Sequence, residues 1–195
     1  MISYIKGQII SKQDGSVIIE TGGIGYEVFV SNNTLVSIGD AGENCLIYTH
    51  MHMREDGVIL YGFSSTEEKN LFNLLISVSG IGAKLAVGVL SGMKLSELIL
   101  AIAGEDTCAL QNIKGLGKKT AERIILELKE KVNPINYIET TFASADALSA
   151  VEEAVQVLLS LGLTRYESIK LAKENSDENK TAEDIVKNAL KNMAK

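Results

Sequence analysis

The chain has 195 residues, of which 46% are hydrophobic and 23% are charged, as in ordinary globular proteins. Its 25 acidic residues outnumber its 19 Lys and Arg, and the resulting net charge of −6 argues against a broad basic surface that coats nucleic acid. The longest apolar stretches are far shorter than the ~20 residues of a membrane span, and the N-terminus lacks a signal-peptide pattern. With Cys45 and Cys108 far apart in sequence, we expect a cytoplasmic protein without disulfides or a membrane anchor.

Residues 1–63 predict a small β structure. Two β-branched runs flank Asp14–Gly15, residues 25–30 alternate apolar and polar side chains, and residues 44–63 have the pattern of a further hairpin. Because the turns are tight and no segment has a helical period, the pattern predicts a barrel or a sandwich.

From Thr66 onward the period becomes helical. Residues 66–78 place four apolar side chains on one helical face, with Ser65 or Thr66 as the N-cap, and short helical segments continue to about Val132. The four apolar residues are Leu71, Leu74, Leu75 and Val78. Pro134 then begins a polar stretch that we interpret as a linker.

The rest of the chain predicts a small three-helix bundle, with helices at roughly 146–161, 165–175 and 181–193. Gly162 separates the first two helices, and Thr181 together with Asp184 begins the third.

The middle of the chain contains an internal repeat. VSGIGAKLAVGVL (78–90) and IKGLGKKTAERII (113–125) align without a gap, at a constant offset of 35 residues. The alignment pairs Gly80 with Gly115, Gly82 with Gly117, Lys84 with Lys119 and Ala86 with Ala121.

Each copy predicts a helix, a tight G-x-G turn and a second helix. Glycine permits positive φ and leaves room for a phosphate, while backbone N–H groups, a helix N-terminus and a nearby lysine attract it. The alternative is an ordinary αα-corner in which glycine only ends a helix. Two matched copies with lysine favour phosphate binding, which must be local, because residues 64–134 carry a net charge of only +1.

Other motifs do not predict an enzyme. Residues 115–120 resemble a nucleotide-binding P-loop, but position 112 is Asn and Lys118 is followed by another lysine, so we expect no ATP binding. His50 and His52 share a strand face but lack a third metal ligand at a recognisable spacing. No nucleophile is paired with a base in any pattern.

The combination of segments resembles the RuvA family, the DNA-binding subunits of the bacterial machine that moves Holliday junctions. The similarity runs essentially from end to end. The segments that carry it, in family order, are MISYIKGQI, GGIGYEV, REDGVILYGF, LLISVSGIGAKLA, IKGLGKKTAERIILELK and VEEAVQVLLSLGL.

The resemblance implies a multidomain α+β fold. An OB-fold barrel (1–63) would be followed by a double helix-hairpin-helix domain (64–134), a flexible linker (135–145) and a three-helix, UBA-like domain (146–195). It further implies a homotetramer, sometimes doubled to an octamer, that holds four-way junction DNA open and nearly planar. The partners would be the RuvB ATPase, docked on the terminal domain, and the RuvC resolvase, and the chain itself would be a non-catalytic subunit without a cofactor or metal.

Site residues carry over by motif. The REDG segment matches an acidic pin, which would place Glu55 and Asp56 at the junction centre, whereas the residues alone predict only a hairpin turn. The DNA-binding positions would be Gly80, Ile81, Gly82, Lys84, Gly115, Leu116, Gly117, Lys118 and Lys119. The positions that contact RuvB would be Leu158, Leu161, Leu163 and Leu190, although the family often has an aromatic residue where Leu163 stands.

Two other classes remain open from the residues alone. A helix-hairpin-helix nuclease or glycosylase would need a catalytic Lys/Asp pair or metal-binding acids beside the second hairpin, and residues 126–140 show no such pattern. A protein adaptor would use the hairpins only for packing. The resemblance favours junction binding over both.

Overall fold

The computed structural model describes residues 1–54, 57–132, 145–163, 165–176 and 181–193. Contacts divide the chain into two compact units, Met1–Leu95 with Gln111–Arg123 and Ser96–Leu110 with Ile124–Lys195. Most of the predicted linker, through residue 144, lies outside the described residues, so the four-part division of the sequence stays a proposal.

The first unit begins with a closed barrel of five strands in the order β1-β2-β3-β5-β4. Neighbouring strands are antiparallel except for β3 and β5, which pair in parallel with Phe29 opposite Tyr61. This closed five-stranded barrel is the predicted OB-fold. The strands are β1 (Tyr4–Gln13), β2 (Ser16–Thr21), β3 (Ile24–Val30), β4 (Asn44–Arg54) and β5 (Gly57–Phe63).

Alternating side chains of the strands fill the barrel. The predicted turn between β1 and β2 is confirmed, with Gly15 at φ +80°. Gly62 of β5 is required by packing, because a Cβ there would lie 2.5 Å from side-chain atoms of Ile47 and Val28. The fully buried core residues include Ile9, Val17, Ile19, Val28 and Ile47.

A short helix, α1 (Asn32–Ser37), follows β3, where the sequence predicted no helix. Six residues are too few to show a helical period in the sequence. The helix begins at Ser31, whose Oγ accepts a hydrogen bond from the Thr34 N–H at 3.0 Å.

Helices α2 (Thr66–Ser77) and α3 (Ala83–Gly92) follow the barrel and also belong to the first unit. The N-cap of α2 is Ser65, one of the two predicted residues, and its Oγ accepts from the Glu68 N–H. Leu71, Leu75 and Val78 are buried as predicted, but Leu74 is only partly buried. Phe72 is fully buried and packs on Phe63, with ring centroids 4.8 Å apart.

A buried carboxylate joins α2 to the barrel. Glu68 is 4% exposed and accepts four hydrogen bonds. The donors are the hydroxyls of Ser31 (2.6 Å) and Thr34 (2.5 Å) and both the N–H (3.0 Å) and the hydroxyl (3.1 Å) of Ser64. Such a charge is tolerated in the interior only because its lone pairs are satisfied.

The second unit contains helices on both sides of the second hairpin. Helices α4 (Leu95–Ala103) and α5 (Thr107–Gln111) precede it, and α6 (Lys118–Leu128) runs from the first unit into the second. The last helices are α7 (Ala145–Ser160), α8 (Arg165–Asn175) and α9 (Ala182–Met193), with bounds within one residue of those predicted.

Helices α7 to α9 form the predicted bundle around their own core, which includes Val151, Leu158, Ile169 and Ile185. Gly162, at φ +92°, ends α7. The Thr181 hydroxyl donates to the Asp184 carboxylate at 2.8 Å, as expected for a capped start of α9. No single helix in the described ranges is long and apolar enough to cross a bilayer; α3 and α4 reach that length only as a bent pair.

Replacing Glu68 should destabilise the first unit. Glu68→Ala leaves buried hydroxyls without an acceptor and should lower the free energy of unfolding by about 3 kcal/mol. Glu68→Gln should cost less, because the amide retains an acceptor and its N–H₂ can donate to a hydroxyl. Glu67→Ala, which removes the neighbouring carboxylate on the same helix, is the control and should cost less than about 1 kcal/mol. Urea unfolding measures the free energy of unfolding of all three variants. Equal losses for Glu67→Ala and Glu68→Ala would contradict a stabilising role for the buried hydrogen bonds of Glu68.

Candidate nucleic-acid interface

The sequence repeat is also a structural repeat. In the first turn the Ile81 N–H donates to the Val78 carbonyl at 3.1 Å, and in the second the Leu116 N–H donates to the Ile113 carbonyl at 3.0 Å. Each following helix starts in the same way, because the Ala86 and Ala121 N–H groups donate 3.0 Å to the carbonyls of Gly82 and Gly117, respectively. The two hairpin turns therefore present the same backbone geometry.

The two glycines of each turn serve different purposes. Gly80 and Gly115 have φ values of +90° and +88°, in the left-handed region that favours glycine. Gly82 has φ −87°, which any residue adopts, so the expectation of positive φ holds only for the first glycine of each pair. A Cβ on Gly82 or Gly117 would meet no protein atom within 4 Å. The second glycines thus leave open space above the turn, as a phosphate approach requires.

The residues between the glycines hold the turns in place. Ile81 and Leu116 are each 5% exposed, and their N–H groups are already bonded within the turn. Their side chains are therefore not exposed for a contact with DNA, and their predicted role in DNA binding stays a prediction. They anchor the turn that exposes the glycines on either side.

Positive charge lies at the start of both following helices. Lys84, Lys118 and Lys119 are exposed in the first turns of α3 and α6. Lys118 lies 4.0 Å from the Glu122 carboxylate, an exposed contact that contributes little to stability. Gly82 caps α3 without a side-chain hydrogen bond, and the first N–H groups of a helix lack intrahelical partners. Each turn can therefore offer backbone donors, a helix N-terminus and a cation to one anion.

Direct contacts fix the two turns relative to each other within the first unit. The Arg123 Nη1 donates to the Ser79 carbonyl at 3.1 Å, which ties α6 to the first turn. A Cβ on Gly115 would lie 3.7 Å from Leu85 of α3. Arg123 is not among the residues that the motifs predict. Its signal is a break in the repeat, because the matching position of the first copy is Gly88.

The two histidines belong to an aromatic cluster. His50 and His52 have ring centroids 6.4 Å apart, and the rings of His50 and Phe72 are tilted in an edge arrangement with centroids 5.2 Å apart. Burial is the main cause that lowers the pKa of His50; the nearby His52 and Lys69 lower it further, against a hydrogen bond with Asn73. Within the described ranges, no three His, Cys, Asp or Glu side chains are grouped so that they could hold a metal ion.

The predicted pin lies outside the described residues. Arg54, the last residue of β4, pairs with Gly57, the first of β5. Glu55 and Asp56 connect these two positions in the sequence, and their proposed role stays a prediction.

The residues predicted to contact a partner ATPase differ in how far they are exposed. Leu158 is fully buried in the core of the bundle, which contradicts its predicted place on the docking surface. Leu163 is partly buried and packs against the same core. Leu161 and Leu190 are 55% and 40% exposed and remain candidates for a contact.

Val157 is a further exposed apolar residue of the bundle. It is 40% exposed and lines a cavity of about 470 Å³ together with Val186 and Leu190. The sequence signal that identifies it is its position one helical turn before Leu161. We call Val157, Leu161 and Leu190 the apolar patch.

The two glycines of a turn should respond differently to substitution. Gly80→Val places a β-branched residue in the left-handed region and should destabilise the chain by about 2 kcal/mol. Gly82→Val meets neither strain nor a clash and should cost less than about 1 kcal/mol, mainly from the poorer N-cap. Thermal unfolding monitored by circular dichroism measures both, and similar losses for the two variants would contradict the assignment.

Two family models match the chain. The model of the RuvA N-terminal domain matches residues 1–62, and that of the SAM-like helix-hairpin-helix tandem matches residues 72–130. The first match covers the barrel and the second covers both hairpin turns.

Full-length relatives show the same relationship. Proteins named Holliday junction branch migration complex subunit RuvA are 40% identical in Acetivibrio thermocellus, over 201 residues, and 40% identical in Neisseria meningitidis serogroup C, over 195 residues. Both alignments cover 100% of this chain and 100% of the relative. The protein of that name from Pseudomonas fluorescens Pf-5 is 36% identical, over 99% of this chain and 100% of its own length. The chain therefore belongs to the RuvA family.

Proposed function

We propose that the chain binds four-way Holliday junction DNA and takes part in branch migration during recombination and repair. The observation that carries this is the pair of matched hairpin turns, which lie in one compact unit and each combine an open glycine with an exposed lysine. The relatives that share the whole length of the chain are named as subunits of the Holliday junction branch migration complex.

Local phosphate sites reconcile DNA binding with the acidic composition. Each turn binds one phosphate through fixed donors and does not depend on the net charge of the chain. The surplus of acidic residues elsewhere disfavours nonspecific coating of DNA, because unpaired carboxylates repel the phosphate backbone. Binding is then restricted to DNA whose shape brings phosphates to several turns at once.

Glu55 and Asp56 would add discrimination at the junction centre. Carboxylates there repel the phosphates of crossing strands, at a cost of about 3 kcal/mol for one unscreened pair at ~6 Å and an effective dielectric constant of ~20. This repulsion would help to hold the junction open and nearly planar. The proposal rests on the family motif.

The chain would act as a non-catalytic subunit without a cofactor. We propose a homotetramer, or two such tetramers joined as an octamer, so that the hairpins of several subunits share one junction. The RuvB ATPase would supply the motor activity by docking on the apolar patch of the bundle, and the RuvC resolvase would act on the same junction. The exposed apolar residues of α7 and α9 support the docking proposal, because interface anchors are commonly apolar.

The second hairpin provides a test of DNA binding. Gly117→Val fills the open space above the turn and should weaken binding to a synthetic four-way junction by roughly tenfold, about the effect of one charged hydrogen bond. The dependence of affinity on salt should also become less steep, because fewer phosphates are neutralised.

The matched control is Gly25→Val, on an exposed strand position where an added Cβ makes only an ordinary contact of 3.5 Å with Ile18. Gel shifts with the junction and with a linear duplex of equal length measure affinity, and the same gels reveal any cleavage products. Wild-type affinity in the folded Gly117→Val variant would refute the phosphate site, and cleavage would indicate a nuclease.

The apolar patch provides a test of partner docking. Leu161→Asp places a charge on a 55% exposed position and should reduce stimulation of the RuvB ATPase on junction DNA by roughly tenfold, while junction binding is unchanged. Leu126→Asp, at a 75% exposed leucine of α6, is the control for adding the same charge elsewhere. Full stimulation by the Leu161→Asp protein would place the docking site on another surface.

A further inference from the structure

A cleft in the first unit lies between the barrel and helix α3. Its volume is about 500 Å³, and its lining is mainly apolar, with Phe29 and Tyr61 from the barrel and Val87 from α3. A volume of this size is typical of sites for small ligands. The hairpin turns themselves do not account for it.

The barrel side of the cleft belongs to the surface that OB-folds use for nucleic acids. Asp14 and Gly15, from the loop between β1 and β2, line it together with Phe29 of β3. In OB-folds this loop and the face of the second and third strands bind oligonucleotides. Phe29 is 40% exposed, and its ring centroid lies 6.2 Å from that of Tyr61. An exposed aromatic ring on this surface is the group on which unpaired bases stack.

The helix side connects the cleft to the first hairpin. Lys84, a candidate phosphate ligand, also lines the cleft. One turn further along α3 is Gly88, which corresponds to Arg123 in the second repeat and has no side chain to fill the space. A Cβ on Gly88 would meet no atom within 4 Å. The cleft is therefore open next to Gly88, at the position where the second repeat has an arginine.

We propose that this cleft binds one unpaired nucleobase of the DNA whose phosphate is held at the first hairpin. The base would stack on Phe29 while its phosphate lies at Lys84. The Asp14 carboxylate lies on the barrel side of the cleft and repels the phosphate, which therefore favours the side with Lys84. The same carboxylate offers a hydrogen-bond acceptor to the edge of the base. This inference rests on the proposed junction binding, and it extends that function to DNA in which a base has left the duplex.

The test compares a fully paired four-way junction with junctions that carry one unpaired 2-aminopurine, moved step by step along an arm. At one or more positions, the full-length chain should bind the unpaired form roughly tenfold more tightly, in the range of one base stacked on an aromatic ring. The fluorescence of 2-aminopurine should fall on binding, because stacking quenches it.

Two variants should abolish both effects and still bind the fully paired junction as wild type does. Gly88→Leu fills the cleft and improves helix propensity, so its melting temperature should not fall. Phe29→Leu keeps an apolar side chain but removes the ring. Tyr4→Leu, which removes a 59% exposed ring elsewhere on the barrel, is the control and should retain both effects.

The outcomes separate this inference from the proposed function. A wild-type chain that does not bind the fully paired junction contradicts the proposed function itself. Binding to that junction without preference or quenching at any position overturns only the base site. A preference for the unpaired form that persists in both Gly88→Leu and Phe29→Leu also overturns the base site. If Gly88→Leu instead loses self-association at an unchanged melting temperature, the cleft accommodates a second copy of the chain, which also overturns the proposal.

Discussion

The position of the first hairpin relative to the barrel depends on one buried carboxylate. Glu68, in the first turn of α2, accepts hydrogen bonds from Ser31 and Thr34 at the start of α1 and from Ser64 after β5. Ser31 directly follows β3 and Ser64 directly follows β5, so a single side chain connects the ends of two barrel strands to α2. A charge buried in this way tolerates little movement, because any shift would leave donors or lone pairs unsatisfied.

Helix α1 also connects α3 to the barrel through hydrogen bonds. The Asn33 side-chain amide donates to the carbonyls of Leu90 and Met93 at 2.7 and 2.8 Å, and the Asn32 N–H donates to the Ser91 hydroxyl at 3.1 Å. These bonds attach the end of α3 to the barrel, while Arg123 attaches the second repeat to the first turn. The barrel, the first hairpin and the second turn therefore form one connected set of contacts, and the cleft lies within it.

Much of this fold could be predicted, because its signals are local. Glycine at positive φ, Ser65 and Thr181 as caps and the alternation in the strands each depend on neighbouring residues only. Helix α1 was missed because six residues do not establish a period. The sequence could not show that Phe72 is fully buried while Leu74 is only partly buried, because both lie near the apolar face of α2. Burial of Phe72 depends on its contact with Phe63, which comes from the barrel.

The sequence predicted where the two turns lie, but not how the side chains around them are arranged. The repeat identified the turns, yet periodicity alone could not show that Ile81 and Leu116 point inward, nor that Leu158 belongs to a core while Val157 does not. Arg123 could be recognised only once the fold had brought it to Ser79, which is 44 residues away in the sequence. Contacts between distant segments carry this information, and a single sequence does not report them directly.

The matched turns have a geometric consequence. If both turns bind phosphates as proposed, Arg123 and the packing of Leu85 hold the two phosphate sites at one fixed separation. Affinity would then depend on the distance between backbone phosphates and not on the base sequence. DNA whose backbone is widened, narrowed or bent would be distinguished from regular duplex by that distance alone.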